Sequence, residues 1–289
     1  MNNKELDKIL LDHKNWILGK ENGKRADLTD ANLRYANLKG ANLKNAILTG
    51  ANLTFAHIKD ANLKGAILKD SDLARADLTR AVVRAADLTR ANLKGADLTR
   101  AILIDSDLTS ANLTGAILID SDLAFANLTR AVLIDSDLTR ADLVGADLKD
   151  SDLVFANLTR ANLTSADLTR ANIKGADLKG ANLKDSDLKG SDLKEANLTG
   201  AILTSADLTF ANLKEANLTD AILVNSDLTR ANLTGAILIG ANLTFANLKE
   251  ANLTDAILIN SDLAKANLIG AILIDSDLQL AFLKGAILK

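Results

Sequence analysis

The side chains that could carry out chemistry are few and poorly placed for it. The two histidines, His13 and His57, lie far apart, and cysteine is absent, so neither a Ser-His-Asp triad nor a zinc site is indicated. Acidic residues recur at regular surface positions, which lack the low-dielectric cleft needed for acid–base catalysis. Most glycines fall at residue numbers divisible by five and precede no helix, which argues against a phosphate-binding loop. The sequence predicts no catalytic residue, no metal site and no cofactor, and we expect the chain not to be an enzyme.

Ten serines occupy a position that is otherwise alanine. Nine of them follow Asp or Asn, as in Asp105-Ser106 and Asp120-Ser121. We interpret their hydroxyls as structural groups that are hydrogen-bonded by the adjacent corner of the chain, not as nucleophiles.

A five-residue repeat positions all of these side chains. From Ala26 onward the units follow without insertion, as in ADLTD, ANLRY and ANLKG. We number the positions of a unit 1 to 5: a small residue, usually Asn or Asp, an aliphatic residue, and two variable residues. Position 1 is Ala in 43 units and Ser in 10, and position 3 is Leu in 50 of 53.

A period of five fits neither an α-helix nor simple strand alternation. A short extended piece followed by a corner remains, with positions 1 and 3 pointing inward and positions 2, 4 and 5 pointing outward. We call the residue at position 5 the corner residue.

This motif resembles the pentapeptide-repeat family over about nine-tenths of the chain. The resemblance implies an all-β solenoid, a right-handed quadrilateral parallel β-helix in which four units close a coil of twenty residues. On that basis the repeat forms about 13 coils. Some members of the family mimic DNA with an acidic rod and bind DNA gyrase, so the charges of this chain test that hypothesis.

The corner position has its own pattern. All 14 glycines of the repeat region are corner residues. Because Arg90, Phe125 and Asp135 occupy equivalent positions, we infer that a positive φ is not required at every corner. Five of the six phenylalanines are also corner residues, and their spacing predicts no aromatic stack.

Residues 2–18 are predicted to form a helix before the repeat. Asn2 is a candidate N-cap with Glu5 at position N3, and Gly19 can end the helix. We expect the helix to cover the open first coil, so the predicted domains are a helical cap with its lead-in loop at 1–25 and the repeat at 26–289. The predicted cap residues are Leu6, Ile9, Leu10, Trp16, Ile17 and Leu18.

Outward charge is nearly balanced when it is summed along the four faces. The faces that begin at Ala26, Ala31, Ala36 and Ala41 sum to −3, −2, −1 and +1. A DNA mimic should carry a continuous negative stripe, and a nucleic-acid-binding protein a basic one. The sums indicate neither, so direct nucleic-acid binding is not expected. A topoisomerase-binding DNA mimic of the quinolone-resistance type stays the alternative hypothesis.

Outward apolar residues are the best candidates for an interface. An earlier set, which includes Ile102 and Ile117, steps across faces and is explained by strand propensity. Residues 208–223 recur unchanged at 243–258, on the neighbouring face, which indicates that the copied segment holds no exacting site. The candidate interface near the C-terminus comprises Ile237, Ile239, Ile257, Ile259, Ile272, Ile274, Leu280, Phe282 and Ile287.

Together these features predict a non-catalytic scaffold or protein-interaction module of the bacterial cytoplasm, whose protein partner the sequence does not identify. No signal peptide or membrane span is indicated. No polar cap follows the last repeats, so we expect a homodimer through the C-terminal end. The alternatives are a natural cap beyond this sequence and a frayed end.

Overall fold

The chain divides into two compact units, Met1–Asp142 and Leu143–Lys289, in a computed structural model that describes residues 1–288. Lys289, the last residue of the predicted repeat domain, lies outside the described residues. The first unit begins with helix α1, Asn3–Ile17, and both units are otherwise built from pentapeptides. The predicted domain boundary after residue 25 lies inside the first unit and stays a prediction.

Parallel β-bridges twenty residues apart define the coils of each unit. Each bridge joins two position 2 residues that are four pentapeptides apart, so a coil consists of four pentapeptides. Each side contributes one bridged residue instead of a longer strand, because the chain turns again at positions 4 and 5. The bridges run from Asp27↔Ile47 to Asp122↔Asp142 in the first unit and from Asp147↔Asp167 to Asn267↔Ile287 in the second.

The pentapeptide that begins at Ala51 shows how the backbone N–H groups are paired. The N–H of Asn52 donates to the preceding coil at 2.9 Å, and those of Leu53 and Phe55 donate to the next coil at 2.7 and 3.0 Å. The N–H of Ala51 closes the preceding turn at 3.0 Å, and that of Thr54 donates to the Asn52 side chain at 3.1 Å. Asn and Asp therefore dominate position 2 because their side chains accept the one N–H that no carbonyl takes.

Every corner residue from Asp30 to Gly285 has a left-handed backbone, with φ between 53° and 75°. The inference that positive φ is not required at every corner was therefore wrong: Arg90, Phe125 and Asp135 have φ of 57°, 58° and 56°. A hydrogen bond across the turn with a positive φ at its third residue is the pattern of a type II turn. No corner residue is Val, Ile or Thr, the β-branched side chains that tolerate this backbone least.

Leucines and small residues fill the interior of the coils. Leu148 and Leu238, for example, have no exposed surface. The ten position 1 serines also point inward, and each hydroxyl donates to the carbonyl of the residue three places earlier, at 2.5 to 2.7 Å. The structural interpretation of these serines is therefore supported, because their hydroxyls, which belong to buried residues in nine of the ten cases, are satisfied inside the fold.

Helix α1 begins with the predicted capping box. The N–H of Glu5 donates to Asn2 Oδ1 at 2.9 Å, and the N–H of Asn2 donates to the Glu5 carboxylate at 3.1 Å. The helix ends at the C-cap Leu18, and the following Gly19 has φ of 67°. Among residues 1–288, no helix is long and apolar enough to cross a bilayer.

His13 joins α1 to the first coil. Its side chain is fully buried, and Nδ1 accepts the N–H of Ala26 at 3.0 Å. Its ring stacks on Trp16, with centroids 5.4 Å apart and planes 13° apart. This contact fixes the helix against the start of the repeat.

The predicted cap residues differ in how much they contribute. Leu6 is buried, but Trp16 and Leu18 are 37% and 60% exposed. Leu18 contributes least because it lies at the C-cap, where the chain leaves the helix. The half-buried members of the set are Ile9, Leu10 and Ile17.

We expect the attachment of α1 to weaken at acidic pH. Burial lowers the pKa of His13 below its ordinary 6.5; the Lys44 backbone opposes this shift and the charge of Arg25 adds to it. When the helix is detached, His13 is exposed to water and its imidazole therefore binds a proton more readily. The stability that neutral His13 contributes is complete above pH 6.5 and is lost as the pH falls from there through the folded pKa. Emission from Trp16, the sole tryptophan, should titrate in this window.

The variant His13→Gln is the control for that titration, because glutamine carries no titrating charge. Its Trp16 emission should stay constant from neutral to mildly acidic pH. A titration that is identical in the variant would assign the effect to another group.

Candidate functional surfaces

The side chains with catalytic potential are not brought together. His13 is buried against the first coil, whereas His57 points outward at position 2 and is exposed. Within residues 1–288, no group of three or more His, Cys, Asp or Glu side chains is arranged to hold a metal ion. The candidates for function are therefore surfaces.

Oppositely charged corner residues pair between neighbouring coils. The guanidinium of Arg80 holds the pKa of Asp60 below its usual range, and Arg90 does the same for Asp70. These pairs neutralise acidic corners, which agrees with the nearly balanced outward charge of the sequence. The closest pairs are Asp60–Arg80 and Asp70–Arg90, each at 2.7 Å, Asp120–Arg140 at 2.6 Å, Asp150–Arg170 at 2.7 Å and Arg230–Glu250 at 2.5 Å.

One row of side chains departs from this balance. Position 2 is aspartate in five successive coils of the second unit, and adjacent members are bridged, so their backbones are about 5 Å apart. Lys149 pairs with the first two at 3.4 and 2.8 Å. The aspartate column consists of Asp147, Asp167, Asp187, Asp207 and Asp227. It is a local negative row on the face that begins at Ala26, and its first two members are paired with Lys149.

Four of the predicted interface residues share one side of the second unit. Ile237 and Ile257 are bridged, and Ile239 and Ile259 occupy position 4 of the same two pentapeptides. Leu280 ends the pentapeptide that stacks on that of Ile257 in the next coil, through the bridge Ile257↔Asp277. The other predicted residues lie on other sides, at Ile272, Ile274, Phe282 and Ile287. The predicted set is therefore a four-residue cluster, which we call the isoleucine cluster, with exposed apolar residues around it.

An aromatic stack lies on the first unit, where the spacing of the phenylalanines predicted none. The corner residues Tyr35 and Phe55 stack with centroids 5.2 Å apart and planes 11° apart. Arg34 lies 5.1 and 5.8 Å from the two ring centroids, and Arg75 lies 5.6 Å from that of Phe55. The signal was present in the sequence, because a tyrosine precedes this phenylalanine by twenty residues, the length of one coil.

Comparison with known protein families identifies the repeat. The family model named pentapeptide repeats matches residues 26–244 and 251–289. The chain belongs to the pentapeptide-repeat family. As a pentapeptide-repeat protein it is a right-handed β-helix solenoid, which confirms this part of the predicted fold.

Three solved structures illustrate the range of similar proteins. HetL, a pentapeptide-repeat protein involved in heterocyst differentiation regulation from the cyanobacterium Nostoc sp. strain PCC 7120, is 32% identical over 100% of this chain and 97% of its own, with a TM-score of 0.28. Rfr23 from the cyanobacterium Cyanothece 51142 is 28% identical over 46% of this chain and 91% of its own, with a TM-score of 0.36. QnrB1, a plasmid-mediated fluoroquinolone resistance protein, is 20% identical over 65% and 89%, with a TM-score of 0.29. None of the curated proteins compared with the chain matches it significantly.

Proposed function

We propose that this pentapeptide-repeat protein is a non-catalytic scaffold that binds proteins through its outward side chains and pairs with a second copy through the apolar surface near its C-terminus. The observation that carries the proposal is the isoleucine cluster. An isoleucine at position 2 cannot accept the N–H of position 4, so Ile237 and Ile257 forgo a hydrogen bond that Asn or Asp makes elsewhere. Apolar side chains that replace a structural acceptor on adjacent coils favour a contact surface.

The interior of the coils supports a scaffold role. Leucine and alanine side chains fill it, and core residues such as Leu148 have no exposed surface, so little space is left for a substrate. We further propose that the β-helix is quadrilateral with about 13 coils and that α1 is its N-terminal cap. The buried contact between His13 and Ala26 supports the cap. A cytoplasmic location is proposed on the absence of cysteine.

Light scattering tests the proposed pairing. We expect a dimer mass at tens of micromolar protein, and a monomer mass for Ile239→Lys combined with Ile259→Lys, because an apolar contact cannot bury two lysine charges without a partner. The matched control is Ile102→Lys combined with Ile117→Lys, whose outward isoleucines are 37% and 39% exposed in the first unit. The control variant should stay dimeric. A monomeric wild-type protein, or a dimer that survives the first pair of substitutions, would contradict the interface.

The alternative function is a topoisomerase-binding DNA mimic, and the aspartate column is the observation that favours it. Because corner carboxylates elsewhere are paired with arginine, we expect no inhibition of DNA gyrase supercoiling at micromolar protein. Inhibition that disappears in Asp187→Asn combined with Asp207→Asn would replace the scaffold proposal with this one. The substitutions should not disturb the fold, since Asn is common at position 2.

A further inference from the structure

Arginine and lysine side chains surround a pair of stacked aromatic rings in the first coils. Residues 26–75 contain seven Lys and Arg residues and five aspartates, and two of these aspartates, Asp60 and Asp72, lie in the same pentapeptides as Lys59 and Arg75. The carboxylate of Asp60 is held by Arg80 through two hydrogen bonds, at 2.7 and 2.8 Å. The basic aromatic surface, as we call it, consists of Arg34, Tyr35, Lys39, Phe55, Lys59 and Arg75.

The rings of this surface stack on each other, and Tyr35 remains accessible. Tyr35 is 59% exposed, although it stacks on Phe55 at 5.2 Å. Both are corner residues, with φ of 60° and 59°, so the backbone of successive coils fixes their spacing. The guanidinium groups of Arg34 and Arg75 lie within 6 Å of the ring centroids. Rigid aromatic faces beside cations are the elements from which sequence-tolerant binding of single strands is built.

An open cleft lies beside the stack, between α1 and the first coil. It has a volume of about 300 Å³ and is lined by Leu6, Asp7, Tyr35 and Asn37. The carboxylate of Asp7 disfavours a phosphate inside this cleft, but it can accept hydrogen bonds from the amino or imino groups of a base. Lys39 and Lys59, in contrast, occupy position 4 of successive coils outside the cleft and can contact phosphates.

We propose that the basic aromatic surface binds single-stranded nucleic acid, with a base stacked on Tyr35 and the phosphates along the lysine and arginine side chains. A lipid headgroup or an acidic peptide would use the positive charges but not a flat stacked pair beside a carboxylate. The proposal departs from the expectation drawn from charge sums along whole faces, because those sums combine this local group of cations with acidic residues elsewhere on the same faces. It is independent of the proposed dimer, which involves the second unit.

Fluorescence anisotropy with a labelled single-stranded RNA of mixed sequence tests the proposal on the full-length protein. Four cations facing phosphates predict that log Kd rises with log salt concentration with a slope of about 3. The variant Lys39→Gln with Lys59→Gln should lower that slope by about 1. The variant Tyr35→Ala with Phe55→Ala should weaken binding about tenfold and leave the slope unchanged, because stacking is removed and charge is not.

A matched pair elsewhere in the repeat controls for the substitutions. Phe210 and Arg230 form the same corner arrangement at 5.6 Å, but Arg230 is paired with Glu250. Phe210→Ala with Arg230→Gln should therefore leave RNA binding unchanged. Alanine is compatible with the corner backbone, since Ala85 occupies one with φ of 53°, and circular dichroism confirms that each variant is folded.

Each outcome decides the proposal. Binding that is lost with the aromatic pair and retained in the Phe210 control supports it. Absence of RNA binding by the wild-type protein at tens of micromolar and low salt overturns it, as does binding that is insensitive to Tyr35→Ala with Phe55→Ala. Equal or tighter binding to vesicles of phosphatidylcholine and phosphatidylserine that depends on the same residues overturns it in favour of a lipid surface.

Discussion

Leu148→Asp is expected to destabilise the second unit by about 5 kcal/mol or more. Leu148 has no exposed surface, and its N–H is bonded to the next coil at the Asp167 carbonyl, at 2.7 Å. An aspartate there loses the leucine contacts and places a carboxylate among aliphatic side chains without a partner. Because stability in a repeat array depends on contacts between neighbouring coils, the damage extends to the coils on either side. Urea unfolding followed by circular dichroism measures it.

Two controls separate burial of charge from other effects of this substitution. Leu148→Met keeps a similar side-chain volume and should lower the free energy of unfolding by less than about 1.5 kcal/mol. Ser165→Asp places the same carboxylate at an outward corner, like Asp185 one coil later, and should change stability by no more than about 0.5 kcal/mol. An unfolding curve of Leu148→Asp that matches the wild type would refute the inward assignment of position 3.

The sequence alone was sufficient to predict the features that depend on residues close together along the chain. The uninterrupted five-residue period predicts the coils because each unit repeats the same inward and outward positions, and burial of Leu148 and its equivalents follows that pattern. The Asn2 and Glu5 capping box was predictable because both partners lie within one helical turn. The exposure of Leu18 was not, since it depends on where the chain leaves the helix.

Features that form between coils were harder to predict. The stack of Tyr35 on Phe55 and the aspartate column arise only when residues twenty apart are compared at the same position. Summing charge along a face removes this information, because a run of one sign in a few coils is cancelled by the opposite sign further along. The functional surfaces proposed for this protein are therefore local rows, not whole faces.

The left-handed corners show how a correct pattern led to a wrong inference. Glycine at some corners and arginine or phenylalanine at others suggested that positive φ was optional. The informative signal was the complete lack of β-branched residues at position 5, although Thr, Ile and Val are common at position 4. The lack of β-branched residues indicates a left-handed backbone at every corner, and hydrogen bonds from corner N–H groups to the next coil, such as that of Ser205, compensate for the strain.

Proline should therefore have very different effects at two adjacent residues. Ser205→Pro should lower the free energy of unfolding by about 3 kcal/mol or more, whereas Thr204→Pro should change it by less than about 1 kcal/mol. Ser205 is a corner residue with φ of 57°, and its N–H donates to the Val224 carbonyl at 2.9 Å. Proline cannot adopt that positive φ, and it has no N–H to donate the hydrogen bond.

Thr204 is the matched control, because it is the second residue of the same type II turn, where proline is favoured. Its pentapeptide has Ile202 at position 2, so no side chain there accepts the Thr204 N–H, and the described residues include no other acceptor for it. Thermal melts of the two variants compare them directly. Equal destabilisation would mean that the turn is not type II, and tolerance of Ser205→Pro would mean that the corner is not left-handed.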